Sequence, residues 1–353
     1  MPLPSYTPPW LLRNGLTMTL YTALGASHGW EKTLVDPEPT YQKVLFTGAE
    51  RVPIFGWMAI PENPQGTIIG TYGITGSLDS QWFLKILGRK AVAQGYAVVL
   101  FDWRAHGKTA ELSATLTADG LSEGEDFVCI AAQAKARGCP APFWFTGFSL
   151  GGQLALWAVK AAQDLRDDQG LGLEPGEIGG AAVICPSLDS YRSLTYLVSH
   201  PLGRYLEQAI AKELKKLAKR IHDIHPGSLD AAAIERANSI WEFDHELVIG
   251  RLGFPSVEAY YKASSPLPLL PHLKKPTFIL YAMDDPLFDP TLVADLQAAC
   301  ADNLFIDLWL TRYGGHVGYL SSQRNQKQFR DPDPWWAWNR VLEWCHQDFG
   351  QNF

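Results

Sequence analysis

Cysteine is scarce, with five residues in 353, an odd number and no CxxC pair. That removes both a disulfide framework and a cysteine-based zinc site. A reducing, cytoplasmic interior is the expected setting. Charge is also thin, at 19% of residues, and 30 Lys and Arg stand against 37 Asp and Glu. A formal balance of -7 provides no basic face for phosphates, so nucleic acid is excluded as the main partner. No apolar run approaches the ~18 residues of a membrane span; the longest, such as Tyr96 to Phe101, are strand-sized. HExxH and similar ligand spacings are missing, the His222/His225 pair included, so neither a metal nor a cofactor is implied. Residues 16–26 loosely mimic a signal peptide behind Arg13, but four prolines in the first nine positions and three threonines inside the run argue against one.

What is present is apolar material, 46% of the chain, with 13 Trp, 13 Tyr and 16 Phe. This suffices for a large core, and at this length one domain with an insertion fits best. Six short apolar runs read as buried strands: Thr67–Tyr72, Tyr96–Phe101, Phe143–Thr146, Ala181–Cys185, Thr277–Tyr281 and Leu304–Leu310. Helical periodicity over Trp82–Ala93 and Phe127–Arg137 separates the earlier ones, as a parallel sheet requires. The fold class is α/β, a mostly parallel central sheet flanked by helices. Lys43–Met58, with Gly48 and Pro53 near its middle, adds an antiparallel hairpin at the sheet edge.

About ninety residues separate Cys185 from Thr277, far beyond an ordinary connection. The expected division is therefore a core of residues 1–185 and 272–353 and an inserted helical lid of residues 186–271. Leu206, Ile210, Leu214, Leu217 and Ile221 recur at helical spacing inside it. The other side carries Lys212, Lys215, Lys216, Lys219 and Arg220. Such a face suits an anionic lipid surface. Glu207, Glu213 and Asp223 dilute the charge and favour a solvated face instead, leaving peripheral membrane contact open.

Gly147-Phe148-Ser149-Leu150-Gly151 matches a nucleophile elbow, in which a serine sits on a sharp strand-to-helix turn. Gly25-Ala26-Ser27-His28-Gly29 fits the same pattern, so context decides. Ser149 follows an apolar strand run and precedes a plausible helix, whose positive end favours an oxyanion. Ser27 precedes poor helix and the whole strand-helix alternation.

A serine hydroxyl needs a histidine to take its proton, and that histidine needs a carboxylate to hold its tautomer. On a parallel sheet both come from loops after late strands, in the order Ser, acid, His. The run after Thr277–Tyr281 offers Asp284, Asp285 and Asp289; the run after Leu304–Leu310 offers His316 between glycines. His106 precedes the serine and is expected to bond within its own loop. Oxyanion donors are expected from the amides of Leu150 and of Ile74, in the loop Tyr72-Gly73-Ile74-Thr75-Gly76 after the first parallel strand.

The motifs Pro8-Pro9-Trp10-Leu11-Leu12-Arg13-Asn14-Gly15, Tyr72-Gly-Ile-Thr-Gly-Ser77, Gly147-Phe-Ser-Leu-Gly-Gly152, Tyr260-Tyr261-Lys-Ala-Ser264, Asp284-Asp285-Pro286 and Gly314-Gly-His-Val-Gly-Tyr319 together resemble the YheT-like branch of the α/β-hydrolase superfamily. The likeness runs along nearly the whole chain. It implies the α/β-hydrolase fold with a helical lid, and it places the triad on Ser149, Asp285 and His316. It also implies a carboxylesterase or lipase, with eukaryotic relatives implicated in phospholipid and acylglycerol metabolism. Two positions depart from the branch: Tyr72-Gly73 stands where His-Gly is usual, and Ala105 stands where Gly is usual before His106. The first bears on how the oxyanion loop is anchored.

The expected function is a serine hydrolase cleaving small-molecule or lipid esters through an acyl-enzyme. The alternatives are an acyltransferase or thioesterase with the same acyl-enzyme, or a catalytically silent binding protein. The last usually shows a lost triad member, and here none is lost.

Overall fold

Strands form where apolar residues run without charge between turns, so that both faces can be covered. The computed structural model describes residues 5–165 and 171–347. Its single sheet has eight strands in the order β1-β2-β4-β3-β5-β6-β7-β8. These are β1 (Gln42–Thr47), β2 (Pro53–Ala59), β3 (Thr67–Thr71), β4 (Ala97–Phe101), β5 (Phe143–Phe148), β6 (Ile178–Ile184), β7 (Thr277–Ala282) and β8 (Ile306–Thr311). From β3 to β8 every neighbouring pair is parallel. β1 and β2 form the antiparallel edge, paired from Gln42 with Met58 to Thr47 with Pro53. All six expected runs are strands, and β3, β4, β5 and β7 are buried throughout.

Helices α1 (Gly15–Tyr21), α2 (Trp82–Ala93), α3 (Glu123–Ala136), α4 (Leu150–Gln163), α5 (Pro201–Ile224), α6 (Val257–Ser264), α7 (Leu292–Cys300) and α8 (Trp336–His346) are those that matter for the site. α8 buries Trp336, Trp338 and Trp344, and Trp338 Nε1 donates to the Phe83 carbonyl of α2 at 2.9 Å. The aromatics are largely core.

Topology fixes where a ligand can go. β3 and β5 are neighbours, yet the chain leaves β3 toward β4 and leaves β5 toward β6. The crevice beyond the carboxyl ends of such a strand pair is where open α/β sheets bind ligands. The loop Tyr72–Gly76 and the turn at Ser149 both lie there.

Between β6 and β7 the described chain is helices and turns. A second apolar cluster gathers there around Leu214, Ile221, Phe243, Val248 and Tyr260, joined by Ala105, Ala110 and Leu116 from the sheet side. The buried stripe of α5 differs from the sequence expectation. It consists of Gly203, Glu207, Ala211, Leu214, Ala218 and Ile221, while Leu206, Ile210 and Leu217 are half-buried. Small residues let the helix approach closely, and Glu207 sits in the stripe because its Oε1 accepts the Ile240 N–H at 2.6 Å. Glu207 is therefore no part of the solvated face. On that face Lys215 and Lys219 pair with Glu235, Lys216 with Glu213 and Arg220 with Glu111.

Candidate active site

β5 ends at Phe148 and α4 begins at Leu150, so Ser149 alone makes the turn. Its backbone takes φ 55° and ψ -128°, a conformation that costs on the order of 1–3 kcal/mol and persists only where the surroundings impose it. They do so here. The Ser149 N–H donates to Ile184 O at 3.0 Å, and its carbonyl accepts from Gly152, Gln153 and Ser187. The flanking glycines are steric requirements: a Cβ at Gly147 would lie 2.3 Å from Gly151 O, and one at Gly151 would lie 2.5 Å from Tyr72 O.

His316 arrives on the loop after β8. Its Nε2 lies 2.8 Å from Ser149 Oγ, and its Nδ1 lies 2.8 Å from Asp285 Oδ2. Asp285, buried after β7, accepts the Leu287 N–H on its other oxygen at 2.9 Å. The ring of Phe288 stands edge-on to His316 at 5.1 Å. The three aspartates thus separate by task. Asp284 Oδ1 accepts the Gly315 N–H at 2.9 Å and so holds the histidine loop. Asp289 binds the Thr291 N–H at 2.9 Å and faces Arg192. Burial pushes the Asp284 carboxyl up from the ordinary carboxylate range.

The candidate oxyanion loop is pinned from below. Gly73 packs on the serine, where a Cβ would stand 3.4 Å from Ser149 Oγ. Tyr72 donates its hydroxyl to Asp102 Oδ1 at 2.5 Å, and Asp102 also accepts the Leu78 and Lys108 N–H groups. The Tyr72 phenol does the anchoring at the position where histidine is usual in the branch. His106 Nε2 accepts the Thr75 N–H at 3.1 Å while Nδ1 donates to Arg104 O at 2.9 Å, which defines its tautomer. Its ring stacks on Trp103 at 3.6 Å, and burial pushes its pKa down to about 4. His106 is therefore neutral and supports its own loop, as the sequence order suggested. Among the described residues neither the Ile74 nor the Leu150 N–H has a backbone acceptor.

Two supports of the site escaped the sequence reading. Thr19, on α1, accepts the His316 N–H on Oγ1 at 2.8 Å and donates to Gly15 O at 2.7 Å. α1 reaches the loop because Gly15 lacks a side chain; a Cβ there would lie 1.6 Å from Asp284 O. The Asn14 cap, whose side chain accepts from Leu16 and Thr17, was the only local signal, and it marks a helix rather than a site. Asp102 stands directly after β4 but in no pattern that announces a hub. Ser27, in the second G-x-S-x-G match, ends a helical turn, and its Oγ lies 3.3 Å from Nδ1 of the neighbouring His28.

Cys185, beneath the site, is buried, and burial pushes its thiol up to about 12. It is no rival nucleophile.

A serine on the turn after a central strand of a mostly parallel eight-stranded sheet, with histidine and carboxylate on later loops, defines the α/β-hydrolase class. A family model of the α/β hydrolase family matches residues 73–331. slr0264 of Synechocystis sp., an esterase by provisional name, is 55% identical over 350 residues, spanning 98% of this chain and 95% of the relative. YheT of Escherichia coli K12, provisionally named in the same way, is 25% identical over 87% of this chain and 84% of its own. The human phospholipase ABHD3 is 26% identical over 72% of this chain and 58% of its own. The chain belongs to the α/β-hydrolase family and, within it, to the YheT-like branch of ester hydrolases.

Proposed function

We propose that the protein cleaves carboxylic esters, lipid esters among them, through an acyl-enzyme on Ser149. The observation that carries this reading is His316, 2.8 Å from Ser149 Oγ on one side and 2.8 Å from Asp285 on the other. Ser149 Oγ attacks the ester carbonyl while its proton passes to His316 Nε2. Asp285 holds the Nδ1–H tautomer and stabilises the imidazolium. The negative oxygen of the tetrahedral intermediate rests on the amides of Leu150 and Ile74. The C–O bond then breaks, the proton moves from His316 to the departing alcohol, and water repeats the sequence to release the acid and restore the serine.

Residues 186–271 act as the lid over a core of residues 1–185 and 272–353; positions 1–4, 166–170 and 348–353 lie outside the described residues. Ile74 packs against the lid's apolar cluster, which supports an acyl-binding wall beside the oxyanion loop. The name of the phospholipase ABHD3 supports phospholipid esters as substrates. Five free thiols among the described residues support a reducing, cytoplasmic setting.

The test is hydrolysis of p-nitrophenyl esters of short and long acyl chains. The parent is expected to release p-nitrophenol, and Ser149→Ala to lose roughly a thousandfold or more in kcat. Equal rates in the two proteins would sink the proposal.

A further inference from the structure

Large exposed apolar side chains gather on one short segment. Trp10 is 76% exposed, Leu11 64%, Tyr21 48% and Leu24 70%, with Leu20 beside them. The segment folds back on itself. Thr17 Oγ1 ties α1 back to Leu11 O at 3.2 Å, and Leu20 and Leu24 are one turn apart. Leu11 and Tyr21 also border one groove of about 500 Å³, together with Leu12, Trp30, Leu320 and Trp335.

The charge of this segment differs from the rest of the chain. Between Ser5 and Trp30 the only formal charge at neutral pH is Arg13, in a protein of net charge -7. A segment without a carboxylate and with one cation complements a headgroup layer that is zwitterionic or weakly anionic. Trp and Tyr, both present here, are the side chains that settle at a bilayer boundary, apolar body inward and polar tip outward. The basic face of α5 lacks this freedom, since four of its five cations are paired with glutamates.

Position gives the patch its use. α1 lies against both loops that carry the candidate acid and histidine, through Gly15 at Asp284 and Thr19 at His316. Met283, next to Asp284, is 43% exposed on the acid loop.

We infer that the surface formed by Trp10, Leu11, Leu20, Tyr21 and Leu24 docks the enzyme on a glycerolipid bilayer, on the outer side of the helix that braces the candidate acid and histidine loops. The purpose of the docking rests on the ester-hydrolase reading, so its test reads binding apart from turnover. Ser149→Ala is sedimented with vesicles of phosphatidylcholine containing about one-fifth phosphatidylglycerol. It is expected to pellet with them. Adding Trp10→Ala, Leu11→Ser and Leu24→Ser is expected to weaken partitioning roughly tenfold or more. The same three changes in the parent should leave the melting temperature and the hydrolysis of a short soluble ester unchanged. As a second readout, brominated phosphatidylcholine should quench parent fluorescence more than that of Trp10→Phe. Absence of Ser149→Ala from the pellet, or undiminished pelleting of the triple variant, overturns the docking surface. So does a solution dimer that the triple variant dissolves, which would give the face to a second copy. Vesicle binding by a parent inactive on every ester would leave this surface standing and remove the hydrolase reading alone.

Discussion

The two halves of the site are held in different ways. The serine half is fixed by the sheet. Ser149 is clamped between β5 and α4, and the candidate oxyanion loop beside it hangs on the buried Asp102 and His106. The histidine half is a glycine-rich loop beyond the last strand, braced from outside by Asp284 and by one short helix 297 positions away in sequence. The first kind of support is inseparable from folding. The second can fail while the sheet survives, so damage to the serine half should appear in stability and damage to the histidine half in turnover.

The largest expected effect lies under the oxyanion loop. The pKa of His106 is about 4 in the folded chain, against about 6.5 unfolded. The unfolded chain therefore binds the extra proton, and this group's contribution to stability rises with pH between those values. Up to about 3 kcal/mol is lost as pH falls from 6.5 to 4. Urea unfolding of parent and His106→Asn should show the parent's advantage near neutrality shrinking toward pH 4. An advantage that is constant or growing with acid would break the assignment of a buried neutral ring.

On the other half, Gly15→Ala drives a methyl into the Asp284 carbonyl and lifts α1 from the histidine loop. A displacement of that size costs on the order of a hundredfold in kcat, with KM and the melting temperature changing much less. Thr19→Val removes the acceptor for the His316 N–H together with the bond inside α1 to Gly15 O. The expected loss is roughly tenfold in kcat, about 1.4 kcal/mol, and Thr19→Ser should restore it. A matching fall in melting temperature without kinetic loss would make Thr19 merely structural. Smallest of all, Ser27→Ala should leave kcat within about twofold of the parent, because that second G-x-S-x-G match ends no strand.

The same contrast explains what could be read in the sequence. All six strand runs and the edge hairpin were legible, since a strand covered on both faces needs an unbroken apolar run. Ser149 and His316 could be picked out as candidates because the proposed chemistry demands glycines and a fixed chain order around them, and the two side chains do meet. Asp285 was separable from Asp284 and Asp289 only through the family resemblance, and the geometry gives each a different partner. Glu207 misled because helical periodicity marks a face but cannot show that a backbone N–H from a distant segment waits there. Thr19 and Asp102 were invisible for a related reason: Thr19 acts through one hydrogen bond to His316, and Asp102 gathers Tyr72, Leu78 and Lys108 from two loops, and no local pattern encodes either.

The central claim is that Ser149 is a nucleophile made reactive by His316. It is tested most directly by treating parent, Ser149→Ala and His316→Ala with a fluorophosphonate and mapping the adduct by peptide mass. The account predicts one adduct, on Ser149, in the parent, none in Ser149→Ala, and labelling slowed roughly a thousandfold or more in His316→Ala. An adduct on Ser27 or any other residue, or labelling of Ser149 that proceeds as fast without the imidazole, would contradict it.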